Sequence, residues 1–137
     1  MGTSGMSNAD SENRDFMPFS ELVAWAWRET PAVHTDARNL VIHIFAVPLF
    51  VLGHVLALTG AFVIWWLAVV GALCVIVSIV VQGFGHSLER QHVHPFTGPQ
   101  DFVRRLYAEQ FYNFWRFLFS GQWYLSFKAR RGERGQP

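Results

Sequence analysis

At 137 residues the chain has room for about one domain. Apolar residues make up 51% of it and charged residues only 15%, so a bilayer rather than water is expected to solvate much of its surface. A net charge of +1 with no broad basic stripe excludes nucleic acid as an expected partner, and the lone Cys74 excludes an intrachain disulfide and a cysteine-based zinc site.

Residues 1–15 are polar, rich in Ser, Asn and Asp, and read as a disordered N-terminal tail. They lack the basic and apolar regions of a secretory signal, and Met6 stands where the myristoylation motif wants Ser or Thr. Residues 16–127 are expected to form a helical membrane domain, and residues 128–137 a basic C-terminal tail. Within the domain, FSELVAWAWRE (residues 19–29) predicts a short amphipathic helix with Ser20 as N-cap, Trp25 and Trp27 at an interface, and Pro31 as its end.

Two runs follow, LVIHIFAVPLFVLGHVLAL (residues 40–58) and AFVIWWLAVVGALCVIVSIVV (residues 61–81), and neither holds Asp, Glu, Lys or Arg. Each approaches the ~20 residues that cross a ~30 Å hydrocarbon core. Thr59 and Gly60 between them predict a tight uncharged turn and an antiparallel hairpin. Arg38 before the hairpin, and Arg90, Arg104, Arg105, Arg116 and the basic tail after it, place both termini in the cytoplasm by the positive-inside rule, and in the inner membrane of a bacterial cell. The segment QDFVRRLYAEQFYNFWRFLFS (residues 100–120) sets Val103, Tyr107, Phe111, Phe114 and Leu118 at helical spacing, with Arg105, Glu109 and Arg116 on another face. It either lies in the interface or, taken from Leu106 to Phe127, adds a further span. The expected fold is therefore all-α integral membrane: a hydrophobic two-helix hairpin flanked by amphipathic or additional membrane helices, two to four membrane segments in all. A homo-oligomer is compatible with this arrangement.

All six histidines lie between His34 and His94, around the two spans. Ionisable groups at membrane depth are costly and usually functional. Asn39 and His43 share a helix face at i, i+4, behind Thr35 or Asp36 as N-cap, and His86 and Glu89 at i, i+3 can converge from one turn. Imidazole and carboxylate without thiolate suit iron, zinc or manganese, whereas the purely structural alternative is hydrogen bonding across the hairpin. Counted from a turn at Thr59 and Gly60, His86 lies level with His34, and His43 sits about 13 Å deeper at ~1.5 Å per residue. An unbroken hairpin then cannot bring the three together, and bends at Pro48 or at Gly83 and Gly85 are needed. His54, about three turns beyond His43, reads as a hydrogen-bonded interior residue, and His92 and His94 as interfacial residues of a loop, HVHPFTGP.

The block from His34 to His43 containing Asn39, Pro48 and Gly53 in the first span, and the block GFGHSLE ending at Glu89 together resemble a membrane family, the 2-hydroxy fatty acid dioxygenases (the metabolism of phytosphingosine to odd-numbered fatty acids proteins). The resemblance covers residues 19–123. It departs after Glu89, where HVHPFTGP stands in place of a shorter proline-containing stretch, and in the aromatic segment EQFYNFWRFLFSGQW. The resemblance implies a multi-pass helical fold, Fe(II) as cofactor, a lipid or fatty acyl substrate, and oxidative removal of one carbon from a 2-hydroxy fatty acid. By position it implies His34, His43 and His86 as iron ligands and catalytic residues, Glu89 as a fourth ligand or a carboxylate behind one, and Asn39 as a residue orienting a ligand. Arg90 or Arg104 would neutralise a substrate carboxylate. The competing readings are a non-catalytic membrane protein with structural histidines and a haem protein with two axial imidazoles.

Overall fold

The computed structural model describes residues 14–133, and every regular element among them is helical. In chain order these are α1 (Phe19–Val33), α2 (Ala37–Phe62), α3 (Trp65–Ser87), α4 (Pro99–Ala108), a π-helical turn (Glu109–Asn113), α5 (Phe114–Phe119) and α6 (Gln122–Glu133). Residues 1–13 and 134–137, which hold most of the polar tail and the end of the basic tail, lie outside the described residues. Arg14 and Asp15, assigned above to the tail, pack on the domain: Arg14 is buried and donates to the Pro95 carbonyl, and Asp15 accepts from the Thr97 hydroxyl.

Helix α1 starts behind Pro18, not at a Ser20 cap, and it runs through Pro31 to Val33. Proline removes one backbone donor, a loss most easily absorbed close to a helix end. The continuation matters because it sets Val33 inside and delivers His34 one turn beyond Thr30. Asp36 then caps α2, its Oδ1 accepting from the Arg38 backbone N–H at 2.8 Å.

The hairpin turn lies four residues later than the sequence suggests. Thr59 and Gly60 are in the last turn of α2, where their carbonyls accept from the N–H groups of Val63 and Ile64, the two residues separating α2 from α3. Gly60 serves packing instead. A Cβ built on it would fall 2.1 Å from the Ala68 backbone nitrogen, and one on Gly71 would fall 2.3 Å from that of Ala57. Such small residues let two backbones touch, and in an apolar solvent that contact, rather than hydrophobic burial, holds helices together. The Ser78 hydroxyl adds a 2.6 Å bond to the Ala46 carbonyl across the same interface. Moving the turn to Val63 and Ile64 shifts the register, so that His43 and His86 each stand roughly 21 residues from it, ~32 Å along their helices. The depth mismatch expected between them disappears without a kink at Pro48 or a break at Gly83 and Gly85.

Helices α2 and α3 are both long and apolar enough to cross a membrane, with 33% and 17% of their apolar windows buried. Phe45, Leu58, Phe62, Trp65, Val80 and Phe84 are all more than half exposed, unlike residues of a helix inside a water-soluble core. Among the described residues no other helix meets that criterion. Leu106 to Phe127 is not a single span, since the chain turns at Ser120 and Gly121, the latter at φ +81°. Helices α1 and α4, the π turn and α5 instead pack at one end of the hairpin. A reciprocal amide pair between Gln82 and Gln110 and a bond from Asn113 to the Val23 carbonyl fasten them there.

Substituting Gly71→Val should lower the unfolding midpoint in mild detergent, at a cost of about 1–3 kcal/mol from overpacking. Gly83→Ala, whose Cβ meets nothing within 4 Å, should match the parent or exceed it. Equal midpoints for Gly71→Val and the parent would disprove the close backbone approach.

Candidate metal centre

The chain reverses direction between His34 and Asp36, and a single carboxylate fixes that reversal. Glu89, 4% exposed and just past α3, accepts from the backbone N–H groups of Thr35 and Asp36 at 3.0 Å, from the Thr35 hydroxyl at 2.7 Å and from Asn39 Nδ2 at 2.6 Å. It sits at the N-terminus of α2, where the helix dipole also favours an anion. Asn39 gives its second amide hydrogen to the Val33 carbonyl, and Gly85 leaves room for it, since a Cβ there would lie 2.4 Å from Asn39 Oδ1. The end of α1, the start of α2 and the end of α3 are thus tied at one point.

Three imidazoles meet beside that tie. Ring centroids lie 4.7 Å apart for His34 and His43, 4.9 Å for His43 and His86, and 5.1 Å for His34 and His86, all edge to face. His34 and His43 are buried and His86 is half-buried. Each ring spends one nitrogen on a backbone carbonyl of the joint. His34 Nδ1 bonds to Thr30 at 2.8 Å, His43 Nδ1 to Asn39 at 3.0 Å, and the His86 ring bonds to the Val33 backbone. The remaining nitrogens, His34 Nε2, His43 Nε2 and His86 Nδ1, are buried without a partner. Donation from Nδ1 to a carbonyl fixes the tautomer and leaves a lone pair on Nε2, which is how metal-binding histidines are oriented. One ligand atom from each residue lies within 4.8 Å of the others, close enough to hold a metal ion. Three donors at ~2.1 Å from a common ion lie roughly 3.4–3.6 Å from one another, so closure needs each ring nitrogen to move inward by up to about 0.7 Å.

The expected site residues separate into two groups. His34, His43 and His86 come together, whereas Glu89 turns away from the ring nitrogens into its clamp, and Asn39 joins that clamp through its side chain while its backbone carbonyl orients His43. His54 stays apart, bonded to the Phe50 carbonyl and to the Tyr107 hydroxyl at 2.7 Å. His94 pairs with Glu29 at 2.8 Å in the loop between α3 and α4, outside the cluster.

Sequence reasoning missed Glu109. Its Oε1 lies 3.8 Å from His34 Nε2 and has no hydrogen-bond partner. Burial pushes this carboxyl up from the usual carboxylate range, against the pull of His34, Arg105 and the Thr30 hydroxyl. The available signal was that Glu109 is the sole acidic residue between 102 and 132, in an otherwise aromatic segment.

A cavity of about 450 Å³ opens on this cluster. His34, His86 and Glu109 line one part of it, and Trp25, Ile79, Phe96 and Phe102 supply apolar wall. Its cation is Arg105, not Arg90 or Arg104. Arg104 is committed to the carbonyls of Arg14, Asp15 and Met17, and Arg90 is exposed and outside the lining. Arg105 donates to the His94 carbonyl and stacks against Trp25 and Phe96.

No protein-family model, curated protein or solved structure matches the chain. The donor set is imidazole with carboxylate alongside, and Cys74 lies about three turns from His86 on α3, so the residues fit iron, zinc or manganese.

Purified protein should bind about one divalent ion per chain. Alanine at His34, His43 or His86 should abolish that binding, while His54→Ala retains it. Glu89→Gln keeps all three imidazoles but loosens the joint, so it should weaken the metal roughly 10–100-fold. Full occupancy in all three cluster variants, measured by elemental analysis, would remove the site.

Proposed function

We propose that this protein is a membrane-embedded, non-haem Fe(II) dioxygenase that shortens a 2-hydroxy fatty acid by one carbon. The observation that carries this reading is the convergence of three unpartnered imidazole nitrogens beside a largely apolar cavity, whose wall includes two of the three residues, His34 and His86. The resemblance of the His34–His43 and Gly83–Glu89 blocks to the dioxygenase family supports iron over zinc or manganese.

In this reading the exposed faces of α2 and α3 lie in lipid. Phe62, Trp65 and Trp66, exposed at the hairpin tip, suit one interface. The cluster, ~32 Å along the helices from the tip, then falls at the opposite, cytoplasmic interface, one hydrocarbon thickness away. An amphiphile is the natural substrate for that position, because its tail partitions among apolar side chains while its head reaches the imidazoles. The cavity volume is within the ~300–1,000 Å³ of small-molecule sites.

Iron held by the three histidines would supply the chemistry that couples molecular oxygen to cleavage between C1 and C2. Overall, a 2-hydroxy acid and oxygen give the acid one carbon shorter, carbon dioxide and water, which balances without an outside reductant. The chain's own part is positional. Thr30, Asn39 and Val33 hold the ring tautomers, Glu89 holds the joint, and Trp25, Phe96 and Phe102 exclude water from the cavity. Arg105 supplies positive charge on the side where a carboxylate would lie. A haem iron holds its axial imidazoles on opposite faces of a macrocycle, whereas these rings touch one another, which favours the mononuclear reading.

Protein loaded with Fe(II) should convert a long-chain 2-hydroxy fatty acid to the acid one carbon shorter, with short-chain acids poor because each buried methylene contributes about 0.8 kcal/mol. Gly83→Leu, filling open space on the cavity wall, should cut turnover while leaving metal content unchanged. No chain-shortened product at any acyl length, in lipid as well as detergent, would refute the assignment. For topology, reporters at both termini should read cytoplasmic and one inserted between Val63 and Ile64 external; a cytoplasmic reading at the turn would overturn the two-span arrangement.

A further inference from the structure

We propose that Glu109, at the junction of α4 with the π-helical turn, is a fourth ligand of the metal held by the three histidines. The inference rests on the three-histidine metal site and adds a residue to it.

The first ground is that two acceptors face each other. With its Nδ1 hydrogen on the Thr30 carbonyl, His34 presents a lone pair at Nε2, and 3.8 Å away stands the unpartnered Oε1 of Glu109. Buried polar atoms in native proteins nearly always have partners. Four such atoms lie here, His34 Nε2, His43 Nε2 and His86 Nδ1 in the cluster and Glu109 Oε1 beside His34; a proton shared by His34 and Glu109 would serve two of them, whereas one cation, with the carboxylate drawn in toward it, serves all four. The 3.8 Å separation already lies within the ~4.2 Å that two donors on one ion span.

The second ground is the backbone. At Glu109 the helix widens by one residue, and the Phe114 N–H bonds to the Glu109 carbonyl, an i to i+5 bond. Such turns are rare and recur at functional sites. Here the turn points Gln110 and Asn113 inward, and each is anchored, Gln110 on Gln82 and Asn113 on the Val23 carbonyl. Glu109 opens the turn while still in register with α4, its N–H on the Arg105 carbonyl, so it shares the cavity face of Phe102 and Arg105, and its carboxylate faces His34 from the junction that the anchored turn holds in place.

The third ground is charge. Three neutral imidazoles around a divalent ion leave two positive charges in a poorly solvated site. Glu89 cannot compensate by ligation, because both of its oxygens are held by Thr35 and Asp36. One carboxylate from Glu109 lowers the charge to one, which a substrate carboxylate then cancels. The site is thereby selective for a mono-anionic ligand over a neutral alcohol or an amine.

The test uses the full-length protein in mild detergent, stripped of metal and titrated with Co(II), whose visible bands report the coordination sphere. Parent protein should bind about one Co(II). Glu109→Gln should bind at least ~10-fold more weakly, with altered bands, and Glu109→Asp should fall between. Glu89→Gln should keep the parent's bands even where affinity drops. Parent-like affinity and bands in Glu109→Gln would overturn the ligand role and leave the three-histidine site standing, which is the outcome expected if Glu109 merely shares a proton with His34. A parent that binds no Co(II) overturns both. Should Glu109→Gln lose its helical circular dichroism, the Glu89→Gln protein labelled with ¹³C-glutamate decides: metal should shift a glutamate carboxylate band in the infrared, and an unshifted spectrum refutes ligation.

Discussion

The Glu89 carboxylate is the constraint from which the site follows. It belongs to the segment after α3, yet its bonds run to Thr35, Asp36 and Asn39, 54, 53 and 50 residues earlier. A carboxylate held by backbone N–H groups at a helix N-terminus is favoured by both charge-assisted hydrogen bonding and the helix dipole. Asn39 belongs to the clamp by its side chain and holds His43 by its carbonyl, and Thr35 directly follows His34, so the clamp fixes the backbone from which these two rings project. Removing one partner would leave a buried anion, far costlier than losing an ordinary surface pair.

The clamp closes only because the hairpin brings the right residues level. Gly53, Gly60 and Gly71 let α2 and α3 touch, and the resulting register matches His43 with His86. Gly60 also shows how a sequence misleads. Glycine after threonine between two apolar runs is an ordinary turn signal, and the same residue is equally an ordinary packing signal in a membrane helix. Composition does not distinguish the two; what decides is whether a facing helix needs the space, which is a three-dimensional fact.

Other features were legible from local chemistry. Two uncharged runs of near-spanning length predicted the hairpin, and of Thr35 and Asp36, both offered by the sequence as the cap of α2, the structure uses Asp36. The histidine blocks pointed to the three residues that do converge. Spacing failed for the carboxylates, however. An i, i+3 relation makes His86 and Glu89 look like partners, but α3 ends at Ser87, and beyond a helix end that rule no longer applies. Glu109 was hidden for another reason: the amphipathic pattern over residues 100–120 puts it on one face with Arg105, and a polar face reads as solvent-facing, whereas here that face turns inward onto His34 and the cavity.

The roof of the cavity obeys a different physics from its walls. The loop between α3 and α4 has no regular structure and is held by polar side chains: Arg14 on the Pro95 carbonyl, Arg105 on the His94 carbonyl, and His94 against Glu29. Asp101 stands between the two arginines, and Trp25 lies under both. Within hydrocarbon such a roof would be untenable, since each separated charge would lack solvent; at the headgroup layer the same groups can exchange partners with water and lipid phosphate. In the proposed membrane orientation the apolar α2 and α3 faces and the charged loop set a common depth by opposite means, and the cluster lies where they meet, a position suited to the amphiphile proposed as substrate.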